Sequence, residues 1–404
     1  MYNEHEETEL VQVITIDFET YYSKKFSLTK LTTEEYINDP QFQAIGVGVK
    51  INNNPSQWFS GTHDEIRDWL QQFDWGKSLA IAHNAMFDAA ILNWHFEIRP
   101  KRWIDTLSLA RAVDGVHVSN SLKATCERRN IGKKGTEVLD AIGKRREDFT
   151  PEDLAQYGEY CKNDCDLTMK LFGNLFNEEI AIDEYSAISA TIKMFSEPIL
   201  EIDTDLLKTH LEEVKDHKKE LMEKAKSDSD ILLSNPKFAI ALEELGVIPP
   251  TKISARTGKE AFAFAKSDKG LKDLLEHENP KVQALVAARL GVKSTLEETR
   301  TQRLIDIGER IGVLPVPLRY HAAHTGRWGG SDKINLQNLP SRGNNAIKKA
   351  IIAPEGYTLI DADSSQIEAR ILAWLSGQDD LVEAFANKED VYKIMAASIY
   401  TKDV

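Results

Sequence analysis

Residues 11–20, VQVITIDFET, constrain the fold more than any other segment of this chain. The β-branched, apolar run from 11 to 18 reads as a buried strand, which is stable only inside a sheet covered by other elements. It ends in Asp17-Phe18-Glu19. Side chains alternate along a strand, so Asp17 and Glu19 share one face and can bind the same hard cation. Alone the pair is a weak signal, because strand ends often carry acids.

The following segments suit a sheet with helices. AIGVGVKI (44–51) reads as the hairpin neighbour of the first strand, followed by the turn-rich NNNPS. Thr62 and Glu65 have capping-box spacing and open an amphipathic helix. LAIAH (79–83) reads as a short strand and AMFDAAILNWHF as a helix. Residues 151–176 read as a long helix with Pro151 in its first turn. Strands alternating with helices predict an α/β domain ending near residue 180.

From about 181 to 310 the pattern turns helical. Asp203 or Thr204 can cap a helix with Leu206, Leu207, Leu211, Val214 and Leu221 on one face. PPTKISARTGKEAF (249–262) is a basic, turn-rich connection, and a second helical region follows it. PVPLRYHAAHTGRWGG begins strand- and turn-rich sequence, and YTLIDAD (357–363) reads as a strand.

A chain of 404 residues, 42% of them hydrophobic, has room for two or three folded domains. The start MYNEHEETEL has no signal-peptide pattern, and no apolar run approaches a membrane span, so a cytoplasmic protein is expected. Three cysteines argue against a disulfide framework. Cys161 and Cys165, one helical turn apart, read as reduced, partly buried thiols rather than a metal pair. The net charge of −14 is unevenly spread: residues 251–350 hold 18 Lys+Arg against 10 Asp+Glu. That stretch suits a groove tracking a phosphate backbone, or a merely basic surface.

Two further clusters extend the first pair of acids. HNAMFDAAIL carries Asn84 and Asp88, one turn apart on the expected helix and therefore facing one cleft. YCKND carries Tyr160 and Asp164 at the same spacing. Each alone is what a solvated or packed helix face carries. In this order and spacing, across residues 11–176, the three clusters resemble the DEDD-type 3′–5′ exonucleases, in the tyrosine version that proofreads for family A DNA polymerases. The resemblance implies a ribonuclease H-like fold and a reaction using two Mg²⁺ (or Mn²⁺) ions. In that resemblance Asp17 is expected to bridge both ions, Glu19 and Asp164 to complete one site, and Asp88 to hold the second, partly through water. Tyr160 would orient the attacking water, and Asn84 would bind the backbone of a frayed strand. Phe18, Met86 and Phe87 offer contacts to unstacked bases, with core packing as the alternative. Asp105 and Asp166 are expected to be supporting or structural.

Three later strings resemble family A DNA polymerases. KSTLEETRTQRL (293–304) looks like the boundary of thumb and palm. YHAAHTGRWGGSDKINLQNLPSRG (320–343) looks like the segment contacting the minor groove of a primer–template. ADSSQIEAR (362–370) looks like the first catalytic motif. The resemblance implies that Arg327, Gln337 and Asn338 read the minor groove, while Arg342, Lys348 and Lys349 meet phosphates. It implies that Asp363 and the Ser364 carbonyl bind a catalytic Mg²⁺, that Glu368 excludes a 2′-hydroxyl, and that Arg370 supports the site by ion pairing. Ser364 stands where many relatives have an aromatic residue.

The expected fold class is an α/β ribonuclease H-like exonuclease domain (1–180), then a mostly helical thumb (181–314) and an incomplete α+β palm of a right-hand polymerase (315–404). No nucleotide-binding helix with Arg, Lys and Tyr-Gly follows residue 370; Arg129 and Lys133 have the spacing but lie in the nuclease. The tripeptide expected to hold the second catalytic carboxylate occurs only at His63-Asp64-Glu65, in a capping box. The expectation is therefore a polymerase fragment or subunit with a complete proofreading nuclease and half a polymerase site. Its partners would be primer–template DNA, single-stranded 3′ ends, deoxynucleotides and a second polypeptide carrying the remaining fingers and palm. The final helix would present Met395, Ile399 and Tyr400 to that polypeptide; a truncated chain is the competing account. Two other readings stand beside it. One is a free-standing 3′–5′ exonuclease with a duplex-holding remnant. The other is a non-catalytic DNA-binding assembly subunit, against which the full acid set argues.

Overall fold

The fold is organised by the strand that opens the sequence. The structure, a computed structural model, describes residues 12–135, 141–178, 180–254, 256–293, 296–339 and 345–400. It divides into two compact units, Met1–Pro354 and Glu355–Val404.

In the first unit β1 (Gln12–Thr20) is the centre of a five-stranded sheet. Helix α1 (Thr33–Asn38) precedes its hairpin partner β2 (Ala44–Ile51) and the edge strand β3 (Gln57–Phe59). Helix α2 (His63–Leu70) starts at the Thr62–Glu65 capping box. Then come β4 (Ser78–Ala82), α3 (Ala85–Phe96), β5 (Arg102–Asp105), α4 (Thr106–Asp114), α5 (Leu122–Arg128) and the long α6 (Pro151–Phe176). The sheet order is β3-β2-β1-β4-β5. β1–β2 and β2–β3 are antiparallel, and β1–β4 and β4–β5 parallel.

Alternation along β1 sets its two faces. Ile14, Ile16 and Phe18 enter the main core, where Phe18 stacks on Phe96 of α3. Asp17 and Glu19 belong to the other set and meet α6. Their register partners on β2 are Gly48 and Gly46. The lack of a side chain at Gly48 admits α6 closely: a Cβ there would lie 2.7 Å from the Cys161 sulfur and 2.9 Å from that of Cys165.

The rest of the first unit is mostly helical. α7 (Ile182–Ser196) packs on α3 and β5. After β6 (Glu201–Ile202), Asp203 caps α8 (Thr204–Ala225) by accepting the Leu206 N–H at 2.9 Å. α9 (Ser229–Leu233), α10 (Asn235–Glu244), the hairpin β7 (Thr251–Ile253)–β8 (Glu260–Phe262) and α11 (Lys269–Asp273) lead to α12 (Pro280–Lys293) and α13 (Leu296–Ile311), both packed on α8. Arg289 of α12 is fully buried here. It donates to the Leu232 carbonyl at 2.6 Å and lies over the rings of Phe238 and Phe264. Short pieces follow: β9 (Leu318–Arg319), β10 (Gly329–Gly330), α14 (Ala346–Lys349) and β11 (Ile351–Ile352), the last paired antiparallel with β6.

The second unit holds α15 (Ile367–Ser376), α16 (Asp379–Ala386) and α17 (Val391–Tyr400) around Ala373, Ala384, Phe385 and Val391. The strand expected at 357–363 is not formed. Tyr357 is 71% exposed and Ile360 83%, and the segment joins none of the sheets formed by the described residues. Apolar alternation supplies strand preference, but a strand persists only where its backbone edges and apolar face find neighbours.

Candidate functional site

The C-terminal end of β1 presents Asp17 and Glu19 to α6, where Tyr157, Tyr160, Cys161 and Asp164 recur at spacings of three and four and share the inner face. The Tyr157 hydroxyl donates to Glu19 Oε2 at 2.6 Å. The Cys161 thiol donates to Asp17 Oδ2 at 3.3 Å and to the Asp17 carbonyl at 3.4 Å. Asp88, on the first turn of α3, is buried and accepts the Phe18 N–H at 3.0 Å through Oδ1. Asp164, also buried, pairs with the Lys134 ammonium, which lies 5.1 Å from the centre of the Tyr160 ring. Four carboxylates from three elements are thus tied to one end of the sheet, with a tyrosine and a lysine beside them.

Asn84 departs from its expected place. It stands before α3 in the left-handed region (φ 72°), exposed, not on the helix one turn from Asp88. The cause is Asp105, whose Oδ1 accepts the N–H groups of Asn84 and Ala85 at 2.8 and 3.2 Å. Asparagine tolerates that conformation at small cost. Asp105 also caps α4, accepting from Leu107, Ser108 and the Ser108 hydroxyl. Asp166 faces away, bonded to Ser56 at 2.7 Å and Lys50 at 2.8 Å. Phe18 is buried, and Met86 and Phe87 are packed partly buried against the same core.

Crowding of the acids sets their electrostatics. Burial, then the Asp164 charge, pushes the Asp17 carboxyl up to about 7. Burial, then the Asp17 charge, raises Glu19 and Asp88 well above the usual carboxylate range. Burial alone would lower Lys134, but the Asp164 and Tyr160 charges and the hydrogen bonds to both together outweigh it and hold the ammonium above its ordinary value. Burial and Asp164 raise the Tyr160 phenol, keeping it protonated at neutral pH. Acids this close resist ionisation unless positive charge joins them, and an all-oxygen set of this kind fits hard divalent cations. The side chains of Asp17, Glu19 and Cys161 can each offer a ligand atom, all within 4.8 Å of one another. Sequence reasoning missed Lys134 and Tyr157, and read Cys161 as a partly buried thiol where the structure buries it fully beside Asp17. Lys134 has no local signal; Tyr157 and Cys161 lie one turn before and one residue after Tyr160, and that adjacency was the available sign.

The later residues fall in both units. Arg327, Gln337 and Asn338 are exposed in the first unit, the last two on a single 3₁₀ turn whose Asn335 side chain accepts the Gln337 N–H. Lys348 and Lys349 are exposed on α14. Arg342 lies outside the described residues. In the second unit Asp363 and Ser364 are exposed in the irregular segment before α15, and Glu368 is exposed on the first turn of that helix. Arg370 was expected to form an ion pair. It donates instead to the Ser365 carbonyl at 2.9 Å and lies 4.7 Å from the centre of the Phe385 ring.

The sequence model of DNA polymerase family A matches residues 203–404, half of the chain. The chain belongs to DNA polymerase family A. A second model, described as 3′–5′ exonuclease, matches residues 10–179 of this polymerase-family chain. It is 31% identical to DNA polymerase I of Pseudomonas aeruginosa over 67% of its own length and 30% of that protein's. It is 26% identical to DNA polymerase I of Synechocystis over 80% of its length and 33% of that protein's. With the DNA polymerase of Bacillus phage SP02 it shares 22% identity over 96% of its length and 65% of that protein's. The chain thus spans about a third of the two bacterial relatives. A solved structure, the POL domain of Pol1 from M. smegmatis in complex with DNA primer-template and dNTP, shares the fold: TM-score 0.63, 20% identity, covering 95% of this chain and 62% of that one. Among the described residues, no helix of this family A chain is long and apolar enough to cross a membrane.

Proposed function

We propose that this chain removes nucleotides from the 3′ ends of single-stranded DNA and grips a primer–template duplex for synthesis. The convergence of Asp17, Glu19, Asp88, Asp164 and Tyr160 at the end of β1 carries the reading. The sheet order supports a ribonuclease H-like nuclease domain over 1–180, the helices around α8 a thumb over 181–314, and the family match a partial palm over 315–404.

Asp17, Glu19 and Asp164 would hold one Mg²⁺ or Mn²⁺, and Asp17 with Asp88 a second. When bound, such cations supply an activated water and neutralise the leaving 3′ oxygen. The chain's own groups do the positioning. Tyr157 fixes the Glu19 carboxylate, and the Phe18 N–H fixes Asp88. Tyr160, protonated beside Asp164, orients the attacking water through its hydroxyl. Asn84, at the exposed start of α3, meets the backbone of the frayed strand.

Exposed Arg327, Gln337 and Asn338 suit minor-groove acceptors, which every base pair presents. Arg342, Lys348 and Lys349 would meet phosphates. Asp363, the Ser364 carbonyl and Glu368 form the polymerase half-site. Extension further requires a second catalytic carboxylate and a nucleotide-gripping helix, carried by additional polypeptide on the same chain or on a second one.

The test is a 5′-labelled, recessed primer–template incubated with this chain, Mg²⁺ and deoxynucleotides. Shortening that Asp17→Ala abolishes is expected, with lengthening only once the remaining fingers and palm are supplied. Absence of Mg²⁺-dependent shortening would sink the nuclease reading.

A further inference from the structure

We infer that Cys161 is a sulfur ligand of the cation site, so that Asp17, Glu19 and Cys161 together take a thiophilic divalent cation such as Zn²⁺, Co²⁺ or Cd²⁺. The inference rests on the metal-dependent nuclease reading and adds to it a donor that an all-carboxylate set lacks.

The donors are near enough to converge on one ion, with the Cys161 thiol already hydrogen-bonded to Asp17. The three donor atoms lie within 4.8 Å of one another, and Cys161 Sγ stands 3.3 Å from Asp17 Oδ2. A cation holding sulfur at ~2.3 Å and a carboxylate oxygen at ~2.1 Å keeps those atoms ~3.1–3.6 Å apart, between right and tetrahedral angles. The sulfur is fixed from behind. Cys161 is fully buried, and the close approach of α6 to Gly48 leaves it no space to retreat. Glu19 is steadied from its far side by Tyr157, and the cluster is complete with residues of β1 and α6 alone.

Sulfur changes what the site prefers. Carboxylates alone suit Mg²⁺ and Mn²⁺, whereas a thiolate shifts preference to softer ions. Binding replaces the S–H bond with an S–metal bond and releases the proton to solvent. Cys165, one turn further along α6, lies against Gly48 of β2 and hydrogen-bonds to Cys161 but is not part of the ligand cluster, and Cys126 sits elsewhere in the core. They are the natural controls.

The test titrates Co²⁺ and Cd²⁺ into the whole chain after chelator treatment and reads the near-ultraviolet sulfur-to-metal charge-transfer band. One equivalent of band is expected. It should vanish in Cys161→Ser and Cys161→Ala and persist in Cys126→Ala and Cys165→Ala. Cd²⁺ affinity should fall at least tenfold in Cys161→Ser, the scale at which even loss of a supporting group weakens a metal site. A cooperative thermal transition in Cys161→Ser, with a smaller Cd²⁺-induced rise than in the parent, separates ligand loss from misfolding. No band in a parent protein that still shortens DNA with Mg²⁺ would overturn the inference and leave Cys161 a packing thiol. A band lost in Cys165→Ala but kept in Cys161→Ser would also overturn it. Absence of both band and Mg²⁺-dependent shortening would defeat the nuclease reading itself.

Discussion

Asp17 is the residue on which the acids converge, and its protonation gives a signed prediction. Its carboxyl rises from 3.8 to about 7 in the folded, metal-free protein. A raised folded pKa means that the native state binds this proton more tightly than the unfolded chain. The resulting stability is fully present below about pH 4 and is lost as pH rises through about 7. In chelator, the melting temperature should therefore fall between about pH 6 and about pH 8. Asp17→Asn should flatten that fall and raise the midpoint at the upper pH by a few degrees, while Mg²⁺ should rescue the parent and not the variant. Identical melting of the chelated parent at both pH values would show that the acids are not in conflict. Lys134 gives a second prediction. Lys134→Ala strips the ammonium from buried Asp164, so the metal-free protein should lose ~2 kcal/mol, and saturating Mg²⁺ should reduce that loss. Urea denaturation with and without Mg²⁺ measures both. These contacts also mark the limit of reading the sequence. Asp17, Glu19, Asp88 and Asp164 were legible from the resemblance of the three clusters in their order and spacing; strand and helix periods fixed only which residues of each pair share a face. Lys134 was not legible, since its partner lies thirty residues away with no shared element.

Helix α1 shows the same limit at the scale of an element. Its capping box at Thr32–Glu35 is a local signal, yet its main partners come from the other end of the first unit. Glu34 is 2% exposed, accepts from Arg310 at 2.5 and 2.7 Å, and pairs with Arg303 of α13 at 3.3 Å. Glu35 pairs with Arg303 at 2.5 Å. The Thr33 N–H and hydroxyl both donate to Asp332 at 3.1 Å, just before the turn that carries Gln337 and Asn338. On its other side, the Tyr36 hydroxyl bonds to the Tyr21 carbonyl at 2.5 Å and to Thr20 at 2.8 Å, at the end of β1. A buried network of this kind is costly to break from one side. Glu34→Ala takes the carboxylate from Arg310 and one of the two from Arg303, which keeps Glu35, and should destabilise by ~3 kcal/mol. Arg310→Ala, at a side chain one-third exposed, should cost only ~1–2 kcal/mol, because Arg303 still serves Glu34. Chemical denaturation of both single variants and the double variant reads the coupling. Equal single costs that simply add would mean that the network is no unit. The failed strand at 357–363 is the converse case: there the sequence pattern was clear, and pairing neighbours were the missing ingredient.

At the scale of the whole molecule, charge distribution matters more than net charge. The chain carries −14, yet residues 251–350 hold eight more basic than acidic side chains. Within the first unit Arg327, Lys348 and Lys349 are exposed, and Gln337 and Asn338 share an exposed turn. If this surface grips a duplex as proposed, its charged and amide groups act differently. Lysines that neutralise phosphates release counterions, so affinity falls with salt in proportion to their number. Lys348→Ala with Lys349→Ala should therefore weaken primer–template binding at low salt and reduce the slope of log affinity against log salt by about 2. Gln337→Ala and Asn338→Ala remove uncharged minor-groove donors, so they should weaken binding while leaving that slope unchanged. Fluorescence anisotropy with a labelled primer–template, in chelator to silence the nuclease, over a series of salt concentrations, measures both. A slope untouched by removing the two lysines would place the phosphate contacts elsewhere on the basic stretch. An unchanged affinity in the amide variants would remove the 3₁₀ turn from the duplex interface.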